Sequence, residues 1–86
     1  MNPREIFNRV SQAILKVRPD LVPKDLKAEK SFIEDLGFDS MGLVSLAGEL
    51  ESVFKQSLPL SDWVGAERGK GLKLGSLLQF LEKVLK

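Results

Sequence analysis

Residues 37–54 read GFDSMGLVSLAGELESVF: a turn, a capping residue and an amphipathic helix in succession. Gly37 is free to take the backbone angles of a turn. Asp39 is a preferred N-cap type, so a helix is expected from about Ser40 to Phe54. At roughly 100° per residue, Leu43, Leu46, Ala47, Leu50, Val53 and Phe54 fall in one arc of about 120°, the stripe of a core-facing helix. Met41 and Val44 fall on the opposite side, close to Ser40 on the helical wheel. An apolar pair exposed beside one serine suits a contact surface. Ser40 itself stands at the first turn, where a rigid element points its hydroxyl outward.

Helical periodicity extends to both sides of this stretch. Pro3 to Val17 forms a first helix: Asn2 is a cap type, Pro3 suits the first helical position, and Glu5 sits in the first turn. Ile6, Phe7, Val10, Ala13, Ile14 and Val17 share its apolar face, and Pro19 stops it. Residues 18–39 form a long connector. Leu21, Val22, Leu26, Phe32, Ile33, Leu36 and Phe38 make it too apolar for a free linker, so it is expected to pack over the helices, with a short turn at 31–36. SLPLS at 57–61 is a turn, and Ser61 and Asp62 are expected to cap a short helix carrying Trp63, Val64 and Ala66. Gly65, Gly69 and Gly71 mark a flexible stretch. A last helix starts near Leu74, with Leu74, Leu77, Leu78, Phe80, Leu81, Val84 and Leu85 on its apolar side. Lys83 and Lys86 suit its C-terminal dipole. The expected fold class is all-α: a small four-helix bundle of three longer helices and one short one, with a long first connector, in a single domain over 1–86.

Composition narrows the chemistry. The 86 residues contain no Cys and no His, which removes disulfides, thiolate metal ligands and the commonest general base. No nucleophile–base pair through His can form, so the chain is not expected to be an enzyme. No apolar run approaches the ~18 residues that a membrane span needs. A cytoplasmic, monomeric protein is expected, with no metal and no membrane insertion. The net charge of +1 hides an asymmetry: residues 29–54 hold six acidic residues and one basic, whereas 1–28 hold six basic and three acidic. The acidic block surrounds Ser40, which disfavours nucleic acid at that surface and favours a basic protein partner. GAERGKG at 65–71 is not a phosphate-binding loop: its spacing is short, Gly71 stands where Ser or Thr is needed, and no strand precedes it.

FIEDLGFDSMGLVSLAGELESVF, residues 32–54, resembles the attachment region of the acyl carrier protein family, which includes peptidyl carrier domains. The resemblance runs through an apolar and acidic segment, Leu-Gly, an apolar residue, Asp-Ser-Met, and a helix ending at Phe. The remaining helices match in order. The resemblance implies that Ser40 receives 4'-phosphopantetheine covalently, that Asp39 supports the attachment, and that the arm carries acyl groups as thioesters for fatty-acid, polyketide or related lipid synthesis. The physical setting agrees, because a phosphodiester is an anion and a helix N-terminus favours one. The implied partners are a phosphopantetheinyl transferase and acyl-loading, elongating or transferring enzymes. Docking is implied through Asp35, Met41, Val44, Glu49 and Glu51. Leu46, Leu50, Leu60, Trp63 and Leu74 are candidates for lining a chain pocket between helices. Primary-metabolism carriers are strongly acidic, whereas here Gly42 and Ser45 occupy helix positions that are usually acidic there, and Gly48 replaces a larger apolar residue. A specialised carrier for a dedicated pathway is therefore expected. The alternatives are a peptidyl or aminoacyl carrier, or an unmodified helical interaction module.

Overall fold

The computed structural model describes residues 1–85, and its regular elements are helices. Helix α1 spans Pro3–Val17, α2 Ser40–Phe54, α3 Leu60–Glu67 and α4 Leu74–Val84, with single 3-10 turns at Pro23–Asp25 and Arg68–Lys70. Lys86, the second cation expected at the C-terminal end of α4, lies outside the described residues.

Local features start α1 and α2 and mark the ends of α2 and α4. Asn2 caps α1, its side chain accepting from the Glu5 amide at 2.8 Å, and Pro3 fills the first position, where a missing N–H costs nothing. Asp39 caps α2. Lys55 then turns the chain out of α2 in the left-handed region at φ 57°, its amide donating to the Glu51 carbonyl. Lys83 stands in the last turn of α4, where a cation opposes the helix dipole.

The apolar stripes meet in one core. Ile6, Val10 and Ile14 of α1, Leu46 and Leu50 of α2, and Leu74, Leu77 and Leu81 of α4 are all sealed from solvent. α1 packs chiefly on α2, and α4 closes against α1. The connector supplies a plug: Phe32 is fully buried, edge-on to Phe38 at 5.4 Å and to Trp63 at 5.7 Å between ring centroids. Its backbone is fastened to the segment entering α4, where Phe32 N–H donates to Leu72 O at 3.0 Å and Leu74 N–H to Lys30 O at 2.9 Å. Ser31, facing Lys73 across a lone bridge, adds Oγ to Gly71 O at 2.7 Å.

The connector therefore packs over the helices as its apolar content predicts, with the turn at 31–36 in place. Val22 and Ile33 stay out of the core, at 42% and 44% exposed. The Pro23–Asp25 turn is an addition that periodicity did not predict; Asp25 Oδ2 closes it by accepting from Val22 N–H at 3.0 Å. At α3 the expectation fails in detail. Neither Ser61 nor Asp62 caps it; the helix starts at Leu60 behind Pro59 with no side-chain cap. Burial of Leu60 and Trp63, three residues apart, decides where it begins. Gly65 lies inside this helix, not in a loose stretch, and Leu72 N–H returns to Glu67 O at 3.3 Å to close the turn that follows.

Candidate functional site

Ser40 is exposed at the first residue of α2. Three features hold it there. Asp39 Oδ1 accepts from Gly42 N–H at 2.8 Å, taking one of the amides that a helix start leaves without an intrahelical partner. Phe38, just before the cap, is buried against Phe32, and its amide donates to Phe32 O at 2.8 Å. Gly37 reverses the chain at φ +74°, a region that costs other residues strain. The hydroxyl thus stands in solvent on a start fixed by a core aromatic.

The turn before Ser40 is also gripped from a distance. Arg18, one residue past α1, donates from Nη1 to Leu36 O at 3.2 Å and to Gly37 O. The same guanidinium forks onto Asp20, Nε to Oδ1 at 3.0 Å and Nη2 to Oδ2 at 2.8 Å, and lies 6.0 Å from the Phe38 ring centroid. The hydrogen bond from Arg18 is the main reason that the Asp20 carboxyl is held below its usual range. The Arg18 pKa is raised in turn, first by that bond and further by the charges of Asp20 and Asp39.

Two clefts open beside Ser40. The first, about 430 Å³, runs between α2, α3 and α4. Its wall is apolar, with Leu46, Leu50, Leu60 and Trp63 present as the sequence predicts. Leu74 is not among them. It is wholly buried where the connector crosses the start of α4, and Leu77, one turn on, lines the cleft instead. Helical periodicity identifies the face of α4 but not the depth along it. Leu43, Val44, Ala47 and Val64 complete the apolar lining, and Arg68 stands in the wall as a cation. The second cleft, about 460 Å³ and more polar, shares Ser40, Leu43, Val64 and Arg68 with the first and adds Ser31 and Glu34. Trp63 Nε1–H donates to Ser76 Oγ at 2.9 Å, so the indole is pinned to α4.

The five residues expected to dock a partner differ in their surroundings. Met41 and Val44 are exposed, at 74% and 68%. The carboxylates are engaged within the chain. Asp35 accepts from Ser31 N–H at 2.8 Å, Glu51 from Leu58 N–H at 2.8 Å, and Glu49 faces Lys16 of α1 at 3.5 Å. Arg18, Leu77 and Arg68 are the residues that sequence reasoning missed. Leu77 was on the apolar arc of α4, while nothing local marks the two arginines.

A family of proteins described as the phosphopantetheine attachment site matches residues 10–66, from the middle of α1 to the end of α3. The acyl carrier protein of Bdellovibrio bacteriovorus is 39% identical over 61 residues, covering 71% of this chain and 72% of its own length. That of Wolinella succinogenes is 29% identical over 77 residues, covering 90% and 93%. The meromycolate extension acyl carrier protein of Mycobacterium tuberculosis is 26% identical over 80 residues; the match covers 93% of this chain and 64% of that protein.

Proposed function

The chain belongs to the acyl carrier protein family, whose members bear 4'-phosphopantetheine and act as carriers, and on that premise we propose that Ser40 is its attachment residue. The observation that carries this is an exposed hydroxyl at the start of α2, inside the matched region, with two clefts meeting beside it. The site suits the group at both ends. The α2 N-terminus favours an anionic phosphodiester, and the apolar cleft offers room to an aliphatic occupant. The bound group supplies a terminal thiol on which an acyl chain rides as a thioester.

The chain's own residues present and shelter. Asp39 and Phe38 fix the start of α2, so a transferase meets the Ser40 oxygen in one orientation. Leu46, Leu50, Leu60, Trp63 and Leu77 keep water from whatever enters the first cleft. Met41 and Val44 give partner enzymes an apolar foothold next to Ser40. The outward side of α2 carries Ser45, Gly48 and Ser52 near that pair, with no charge among them. Such a neutral surface supports a carrier for a dedicated set of enzymes, selected by shape more than by surface ion pairs, which contribute little.

Intact mass tests the proposal. Incubation with a phosphopantetheinyl transferase and coenzyme A should add one phosphopantetheinyl group, and Ser40→Ala should abolish the addition. An unmodified wild-type chain, under conditions that convert a control carrier, would favour an unmodified interaction module.

A further inference from the structure

We propose that Arg18 is a positioning residue for Ser40, holding the Leu36–Gly37 turn so that the hydroxyl stands in one place when a modifying enzyme arrives. The inference rests on Ser40 being the attachment residue.

The turn needs such a grip. Upstream, residues 31–35 are tied down: Ser31 to Gly71, Phe32 to Leu72, and Asp35 back onto Ser31. Downstream, buried Phe38 is bonded through its amide to Phe32 O and the Asp39 cap fixes α2. Between them lies Gly37 at φ +74°, the residue type with the widest choice of backbone angles. Arg18 donates to both carbonyls of this link, Leu36 O and Gly37 O. A Cβ built on Gly37 would lie 2.8 Å from Arg18 Nη1, so the guanidinium occupies the space that a side chain would take. The glycine is required for its angle, and the guanidinium fills the space beside it.

The clamp is also preorganised. The two bonds to Asp20 fix the plane of the guanidinium before it meets the turn, and the Phe38 ring lies near it. A lysine provides a single point charge and no fork, so it cannot hold Asp20 and two carbonyls in one geometry. Arg18 touches neither cofactor nor partner in this scheme. It acts through Gly37 and Phe38 on a residue 22 positions away in sequence.

The experiment compares the wild type with Arg18→Met, Arg18→Lys and Asp20→Asn, using a phosphopantetheinyl transferase and coenzyme A at a temperature where each is folded by circular dichroism. Misplacing a reacting group by about 1 Å costs up to ~100-fold, and a loosened turn moves Ser40 by less. Arg18→Met should therefore lower kcat/KM for modification about tenfold, mostly in kcat, with Arg18→Lys recovering only part of it. Backbone 15N order parameters should fall at Gly37–Ser40 in Arg18→Met and hold in α1 and α4. A merely structural arginine would move the melting temperature without this local loss or the kcat-weighted split. Wild-type kcat and wild-type order at Gly37 in Arg18→Met would overturn the proposal. Should that variant fail to fold, unchanged kcat and order in both Arg18→Lys and Asp20→Asn would overturn it equally. If the wild type accepts no pantetheine arm, the attachment reading fails, and the order parameters still decide whether the clamp exists.

Discussion

Gly42 and Gly48 lie six residues apart in α2, and the same substitution should have opposite outcomes at the two sites. Alanine is favoured over glycine in a helix interior by roughly 0.8–1 kcal/mol. At Gly48 nothing lies within 4 Å of the added Cβ, so the gain is unopposed. In a domain of this size ~1 kcal/mol moves the melting temperature by roughly 4–8 °C. At Gly42 the Cβ would lie 3.1 Å from Phe38 Cδ2 and 3.3 Å from Asp39 Oδ1. Phe38 is only 3% exposed and packs edge-on to Phe32, so its ring has little room to retreat. Asp39 Oδ1 is the acceptor of the Gly42 amide itself, and a displaced N-cap costs about 1 kcal/mol. Gly42→Ala should therefore be neutral or destabilising. The two variants should differ by about 1–2 kcal/mol in urea unfolding followed at 222 nm, with equal m-values. An equal gain at both sites would refute the argument, because it would mean that the start of α2 has slack where the contacts leave none.

Two further outcomes follow from the cleft and from the Arg18–Asp20 pair. Replacing a short acyl group on the arm by an octanoyl group should shift Trp63 emission and raise the melting temperature, since each buried methylene contributes ~0.8 kcal/mol before ordering costs. Ala47→Phe, which fills the cleft, should remove both effects; no emission change in the parent chain would exclude this path for the acyl tail. The Asp20 carboxyl, held by Arg18, titrates below its ordinary 3.8 in the folded chain. Its stabilisation is present above that value and is lost as pH falls through the lower folded one. Melting temperature against pH should therefore decline less steeply on the acid side in Asp20→Asn, and parallel curves would show that the pair contributes nothing.

α1 and the start of α2 were legible because each carries a cap or breaker beside an apolar stripe, whereas α4 has no side-chain cap and was legible from its stripe alone. Asn2, Pro3, Asp39 and Pro19 are local signals, and tertiary packing did not override them. The start of α3 was not legible: Ser61 and Asp62 look like caps, yet burial of Leu60 extends the helix past them. The apolar wall of the cleft was mostly readable, since Leu46, Leu50, Leu60 and Trp63 all face it. Leu74 was misplaced by one turn because periodicity gives direction without depth. The docking carboxylates show the opposite limit. Asp35, Glu49 and Glu51 read as part of an acidic block around Ser40, and their intrachain partners, two backbone amides and a lysine, are visible only in the folded chain. Arg18 could not be found at all, since its partners Leu36 and Gly37 are 18 and 19 residues away with no periodic relation to it.

The attachment of α3 has a mechanical consequence. This eight-residue helix has no side-chain cap, carries Gly65 exposed in its interior, and is moored to α4 through the Trp63 indole and Ser76. Local opening free energies are lowest where buried contacts are few, and α3 gives the core only Leu60 and Trp63, fewer than any of the longer helices. The first cleft is therefore least firmly walled on its α3 side. Trp63 carries both ties, the hydrogen bond to Ser76 and the edge-on packing against Phe32, so loosening there would register in the tryptophan signal itself.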